Sequence, residues 1–194
     1  MTQYLVFLGV AVSFAGGTFY IKETLSGRTK PNRVTWLMWA IAPLIATSAA
    51  LADGVRLAAL PVFMSGFIPL LVFLASFANS KSYWKLGRFD YLFGVSSFLA
   101  LFLWAITKEP LIAIIFAIAS DGFAALPTII KSWKHPDTES TEIFVCGLFS
   151  AFTAFFALKT FGFSELAFPI YLISVNSLLI IAGYRGRWAK RNLP

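Results

Sequence analysis

Seven stretches of 16 to 22 mostly apolar residues, separated by short polar connections, leave this chain few ways to fold. They run Tyr4–Ile21, Val34–Ala52, Leu57–Ala78, Tyr91–Ile106, Leu111–Ile130, Ile143–Leu158 and Leu166–Tyr184. A bilayer's hydrocarbon core is about 30 Å thick, so a spanning helix needs roughly 20 apolar residues, and shorter cores suffice where aromatic or basic residues flank them. With 58% hydrophobic and only 13% charged residues among 194, a soluble domain could not hide the apolar surface. The expected fold class is therefore an all-α integral membrane protein of seven transmembrane helices. Nothing basic precedes the first run and the chain re-enters the membrane after it, so it reads as a span, and no cleaved targeting sequence is expected.

Charge supplies the orientation. With the N-terminus outside, the inner connections and tail hold Lys22, Arg28, Lys30, Arg33, Lys81, Lys85, Arg88, Lys131, Lys134, Arg185, Arg187, Lys190 and Arg191. The outer connections then hold only Arg56, Lys108 and Lys159 of the 16 basic residues. This asymmetry puts the N-terminus outside and the C-terminus in the cytoplasm. Topology accounts for the net charge of +7, and no nucleic-acid partner is expected. The tail "YRGRWAKRN" is suited to contact anionic lipid, with Trp188 at headgroup level.

Sliding the chain against itself by 108 or 109 residues uncovers two halves. "ALPVFMSGFIPLLVFL" (Ala59 to Leu74) lies over "AFPIYLISVNSLLIIA" (Ala167 to Ala182), pairing Pro61 with Pro169, Phe63 with Tyr171, Ser65 with Ile173 and Ile68 with Asn176. One residue further along, Lys22 pairs with Lys131 and Thr29 with Thr138. Spans one to three then form one unit (residues 1–80), the fourth is a linker helix (81–109), and five to seven form the second unit with a basic tail (110–194). Corresponding spans lie four crossings apart, so the two three-helix repeats are parallel in this 3+1+3 plan, with a ligand cavity expected between them near mid-membrane.

"LPTIIKSWKHPDTES", Leu126 to Ser140, resembles the loop motif of the SWEET and SemiSWEET sugar transporters and the wider PQ-loop superfamily. There a Pro-Gln pair late in the first helix of each unit precedes an Ile-Lys-x-Trp-Lys-like stretch and a Ser/Thr-rich turn. The 3+1+3 layout with the N-terminus outside is that family's too. Two departures stand out: Thr128 replaces Gln, and the first unit has Thr18 where the second has Pro127. The resemblance implies alternating access, with proline kinks as hinges. Pro127 matches the motif proline, while Pro43 corresponds by helix only; each removes a backbone hydrogen bond within a span. Prolines are also ordinary in membrane helices. Pro61, Pro69 and Pro169 read as helix starts or bends, with Pro61 and Pro169 in first turns.

Two polar residues lie deep in spans. Asn176 occupies the place where the family sets a substrate-binding asparagine, but its partner position holds Ile68. It either contacts a ligand or bridges two helices. Asp121, in "IASDGFAALP", lies about 11 residues into the fifth span, roughly 16 Å deep. A carboxylate there must be protonated, paired or facing a wet cavity, which makes it a substrate-binding and proton-coupling candidate; the plain alternative is an acid bonded to a neighbouring hydroxyl or backbone.

The remaining signals read as packing. Trp36, Trp39 and Trp104 are expected as interfacial anchors, with Thr29 or Asn32 capping the second helix. Gly9, Ser13 and Gly17 make a smooth face on the first. Phe149, Phe152 and Phe156 form a stripe facing lipid or another helix, His135 is solvated in a loop, and Cys146 is a small buried apolar residue. No lysine falls mid-span, which excludes a retinal Schiff base. No metal cluster, nucleophile–base pair or phosphate loop is visible, so neither an enzyme nor a cofactor is expected.

These signals together describe a transporter of a small polar solute, a sugar or similar, working by alternating access and open to proton coupling. Its partners are the solute and the lipid bilayer, with a homo-oligomer left open, and compact loops point to a bacterial inner membrane. Two alternatives stay open: a SWEET-like receptor or accessory subunit that binds without transporting, and a transporter of a vitamin precursor of the nicotinamide riboside type.

Overall fold

A computed structural model of the chain describes residues 2–107, 109–159 and 161–191. Seven α-helices fall on the seven apolar runs: α1 (Leu5–Leu25), α2 (Arg33–Ala52), α3 (Ala59–Ala75), α4 (Arg88–Thr107), α5 (Pro110–Lys134), α6 (Glu142–Ala154) and α7 (Phe163–Arg191). The described residues contain short 3-10 turns besides and no strand. Helices α1, α2, α5 and α7 are long and apolar enough to cross a membrane by length and composition, while α3 and α6 are shorter apolar helices. The protein is thus all-helical and compatible with an integral membrane location. Of the readings above, Lys108 and the side chains of Trp104, Lys190 and Arg191 lie outside the described residues.

Local chemistry explains several boundaries. Asn32 caps α2, its side-chain oxygen accepting from the Val34 and Thr35 amides, whereas Thr29 spends its hydroxyl on Thr24 at 2.9 Å. Pro110 opens α5, where a missing amide hydrogen costs nothing. Helix α7 starts at Phe163, earlier than the apolar run suggested, because Ser164 and Glu165 continue the helix beyond the hydrophobic stretch. Pro169 therefore lies inside α7, not in its first turn. Pro61 does fall in the first turn of α3.

The helices close into a ring. Helix α3 sits between α1 and α2, α7 sits between α5 and α6, and the contacts of α1 with α6 and α2 with α5 complete the circle. Helix α4 packs outside it, on α5 and α2. Exchanging α1 for α5, α2 for α6 and α3 for α7 maps the ring onto itself. Lipid gives little hydrophobic drive between helices, so close approach matters more. A Cβ on Gly9 would clash with Thr153 Oγ1 of α6, and one on Gly17 would meet Ile68 of α3 at 2.6 Å. The smooth face of α1 is therefore used against both neighbours.

The two ends of the bundle differ in chemistry. At one end the α1–α2, α3–α4 and α5–α6 connections meet: the Lys30 amide donates to the Thr138 carbonyl at 3.0 Å, Ser82 Oγ to the Thr24 carbonyl, and Asn32 Nδ2 to Asp90 at 2.6 Å. The opposite end closes on Val6, Ala50, Val55, Ala58, Ala59 and Ala157, all small and apolar.

Lys131 lies at the centre of the first end. It belongs to the last turn of α5 and not to the loop, and its side chain is 1% exposed. Its ammonium donates to the Glu139 carboxylate, itself 2% exposed, and to the Lys30 carbonyl, and sits 5.1 Å from the Trp84 ring. Tyr20 of α1 donates to the other Glu139 oxygen. Both halves of the chain thus close on one buried ion pair. Removing one member leaves an uncompensated buried charge, which typically costs about 3–5 kcal/mol, whereas removing both is far milder. Glu139→Gln is expected to lower unfolding stability in detergent by about that amount, and adding Lys131→Met to recover most of it. Equal losses for the single and double variants would show that the pair does not hold the end together.

Candidate functional site

The ring encloses a cavity of ≈ 80 Å³, and all six of its helices line it. A water-sized occupant needs roughly 10–15 Å³ on the same measure, so several water-sized groups, or one small solute, fit. Helical spacing decides who reaches it. From α2 come Trp36 and Trp39, from α3 Met64, Ser65 and Ile68, and from α7 Leu172, Val175, Asn176 and Leu179, at intervals of three or four that keep them on one face.

The lining repeats along the chain. Ser13 and Asp121, Trp36 and Phe144, Trp39 and Gly147, Met64 and Leu172, and Ile68 and Asn176 all border the cavity, and each pair is separated by 108 residues. The positions are related but their chemistry is not. Both residues singled out from sequence, Asp121 and Asn176, reach the cavity from the later half, opposite Ser13 and Ile68 of the earlier one.

Asp121 is 3% exposed and fully integrated into the wall. Its Oδ2 accepts from the Tyr171 hydroxyl at 2.6 Å, and its backbone carbonyl accepts from the Trp39 indole at 3.2 Å. Three helices, α2, α5 and α7, are thereby joined at one residue. Among the described residues the ion pairs are Arg28 with Glu23 and Lys131 with Glu139, so Asp121 has no basic partner.

Asn176 does not bridge two helices. Its Nδ2 donates back to the Leu172 carbonyl of its own helix at 2.8 Å. Its Oδ1 lies where α6 comes closest, since a Cβ on Gly147 would stand 2.8 Å from it. Glycine at 147 makes room for the amide beside the cavity.

The tryptophans correct the sequence reading. Trp36 and Trp39 are 1% and 5% exposed and line the cavity; they are not interfacial anchors. They sit three and six residues after Arg33 on the face of α2 that borders the cavity, where α3 and α5 pack against the helix. Their rings pack edge to face at 5.3 Å, continuing to Tyr20 on one side and Phe144 on the other. The Trp36 indole nitrogen and Ser150 Oγ are buried without a hydrogen-bonding partner, and both residues border the cavity. Buried polar groups are normally satisfied, so these two are natural contacts for an occupant. Trp36, Trp39, Ser150 and Tyr171 are the site residues that sequence reasoning missed. The 108-residue offset could have found the tryptophans, whereas nothing local marks Ser150.

Other candidates lie elsewhere. Pro127 and Pro43 are buried inside α5 and α2 and do not line the cavity, although Pro127 stands six residues after Asp121 and four before Lys131. Phe149, Phe152 and Phe156 point outward, 43–52% exposed. Cys146 is half-buried, less enclosed than expected, and lies where α6 meets Gly16 of α1. His135 is exposed, with its ring 5.5 Å from Trp84.

No protein-family model, no curated protein and no solved structure matches the chain.

A hydrogen bond to a charged group contributes about 1.5–3 kcal/mol net. Tyr171→Phe is therefore expected to destabilise the protein by that amount, and by much less in an Asp121→Asn background, because the two residues share one interaction. Unfolding of the four proteins of this cycle in detergent checks it; additive effects would dissolve the link.

Proposed function

We propose that the protein is a membrane transporter of a small polar solute that works by alternating access. The observation carrying this reading is the cavity: six helices enclose it, and five pairs of lining positions recur at a fixed 108-residue offset. A space framed by two related halves is suited to opening on either side by rocking one half against the other. In this reading residues 1–80 and 110–194 are the two parallel three-helix units, and residues 81–109, which include α4, link them. All seven helices cross the bilayer, with the N-terminus outside and the basic end cytoplasmic, as the distribution of Lys and Arg favours. The host membrane is a bacterial inner membrane.

Within that scheme Asn176 and Asp121 contact the solute, with Trp36 and Ser150 offering further polar contacts, and Asp121 is the candidate for proton coupling. Pro127 is the hinge of α5, placed between the cavity and the buried Lys131, and Pro43 is its counterpart in α2. The Lys131–Glu139 knot is the barrier on the cytoplasmic side, and small apolar contacts are the barrier on the other. The likeness of Leu126–Ser140 to the PQ-loop motif supports the same mechanism. Two indoles in the wall also favour a solute with a flat ring, which keeps a vitamin precursor of the nicotinamide riboside type as a second reading.

Asn176→Ala is expected to leave unfolding near wild type and Asp121→Asn to lower stability by no more than the lost Tyr171 bond, both variants staying monodisperse in detergent, while each cuts counterflow of a bound labelled solute in proteoliposomes by about tenfold or more. If both variants exchange solute as fast as wild type, the site is misplaced. Binding without counterflow in the wild-type protein would instead make the chain a receptor.

A further inference from the structure

A carboxylate enclosed in a helical bundle is either protonated or, when ionised, needs something to balance its charge. Asp121 has one hydroxyl donor, Tyr171, and among the described residues no Lys, Arg or His borders the cavity. The nearby ammonium of α5, Lys131, is already held by Glu139 and the Lys30 carbonyl. The balancing charge is therefore absent from the protein side of the cavity.

The other walls fit the same missing partner. Trp36, Trp39 and Phe144 line the cavity, and aromatic faces attract cations within about 6 Å, most strongly when water is excluded. Met64 adds a polarizable surface, and Asn176 Oδ1 and the Ser13, Ser65 and Ser150 hydroxyls add acceptors. An anion would meet the Asp121 carboxylate with no cationic group to offset it. A neutral polyol could hydrogen-bond to Asp121, the Trp36 indole nitrogen and the Ser150 hydroxyl, but would leave the carboxylate's charge unbalanced.

We infer that the cavity takes a small organic cation, an amine or quaternary ammonium compound, with Asp121 as its counter-ion and the Trp36 and Trp39 indoles as its aromatic wall. This rests on the cavity being the solute site proposed above, and it narrows that solute to one charge class. Asp121 is then a binding residue whose partner arrives with the ligand, and Tyr171 and the Trp39 indole hold the carboxylate's residue in place from α7 and α2.

The test compares molecules of equal shape and different charge. The purified 194-residue protein in detergent is titrated with choline, with its uncharged carbon analogue 3,3-dimethylbutan-1-ol, with glucose and with acetate, following tryptophan fluorescence and thermal unfolding. Choline is expected to bind saturably, and the uncharged analogue about tenfold more weakly or worse. Asp121→Asn is expected to remove that difference between the pair, and Asp121→Glu to retain it, which a purely structural role would not produce. Equal binding of choline and its analogue, binding of glucose or acetate alone, or no choline binding up to 10-fold above the millimolar range would overturn the inference. Counterflow of labelled choline in proteoliposomes separates the two levels. Binding of choline without exchange leaves the cation site standing and removes transport. Exchange of glucose with choline ignored leaves transport standing and removes the cation.

Discussion

A lysine and a glutamate sealed from solvent at one end of the bundle constrain everything around them. Lys131 and Glu139 can be buried only because each donor and acceptor is met, and the groups that meet them come from distant parts of the chain: Tyr20 from α1, the Lys30 carbonyl from the α1–α2 connection, and the Trp84 ring from the connection before α4. The Lys30 amide closes the same junction onto Thr138. Helices α1 and α5, opposite one another in the ring, are thereby tied together at their C-terminal ends. With those ends held, the ring of α1, α3, α2, α5, α7 and α6 can close, and a closed ring has a centre.

What fills that centre follows from a symmetric frame carrying asymmetric side chains. Related positions of the two halves face one another across the cavity, but one half brings Trp36, Trp39 and Ile68 where the other brings Phe144, Gly147 and Asn176. The small residue at 147 accommodates the amide, and the carboxylate of Asp121 stands where the other half has Ser13. In the proposed mechanism a frame of this kind lets one half rock against the other, and the divergence of its lining supplies selectivity. The proposed transport of a small cation uses both properties: rocking of like halves, and a single negative charge among aromatic rings.

Much of this was legible from residues alone. Apolar runs bounded by charge located seven helices, since in a bilayer a chain must satisfy its backbone internally. Asp121 and Asn176 stood out because polar groups are rare at that depth, and both do reach the cavity. The tryptophans of α2 did not stand out, because an aromatic residue near a basic loop has the same pattern whether it faces headgroups or the interior. Which way it faces depends on what packs beside the helix, here α3 and α5. Asn176 shows the same limit: sequence offered a bridge between helices or a ligand contact, and the amide instead bonds within its own turn and keeps an oxygen beside Gly147.

The sequence by itself determined where the helices lie, because hydrophobic length and charge at the ends are properties of the linear chain, and it carries the 108-residue offset at which cavity-lining positions recur. Only the tertiary structure decided that Lys131 is buried against Glu139, that Tyr171 and Trp39 hold Asp121, and that Trp36 and Ser150 lie unpartnered at the cavity. Lys131 and Glu139 are only 8 positions apart, but Tyr20, which completes their site, is 119 from Glu139, and Tyr171 and Trp39 are 50 and 82 from Asp121; the energy of these contacts exists only once packing has excluded water and brought the partners within reach.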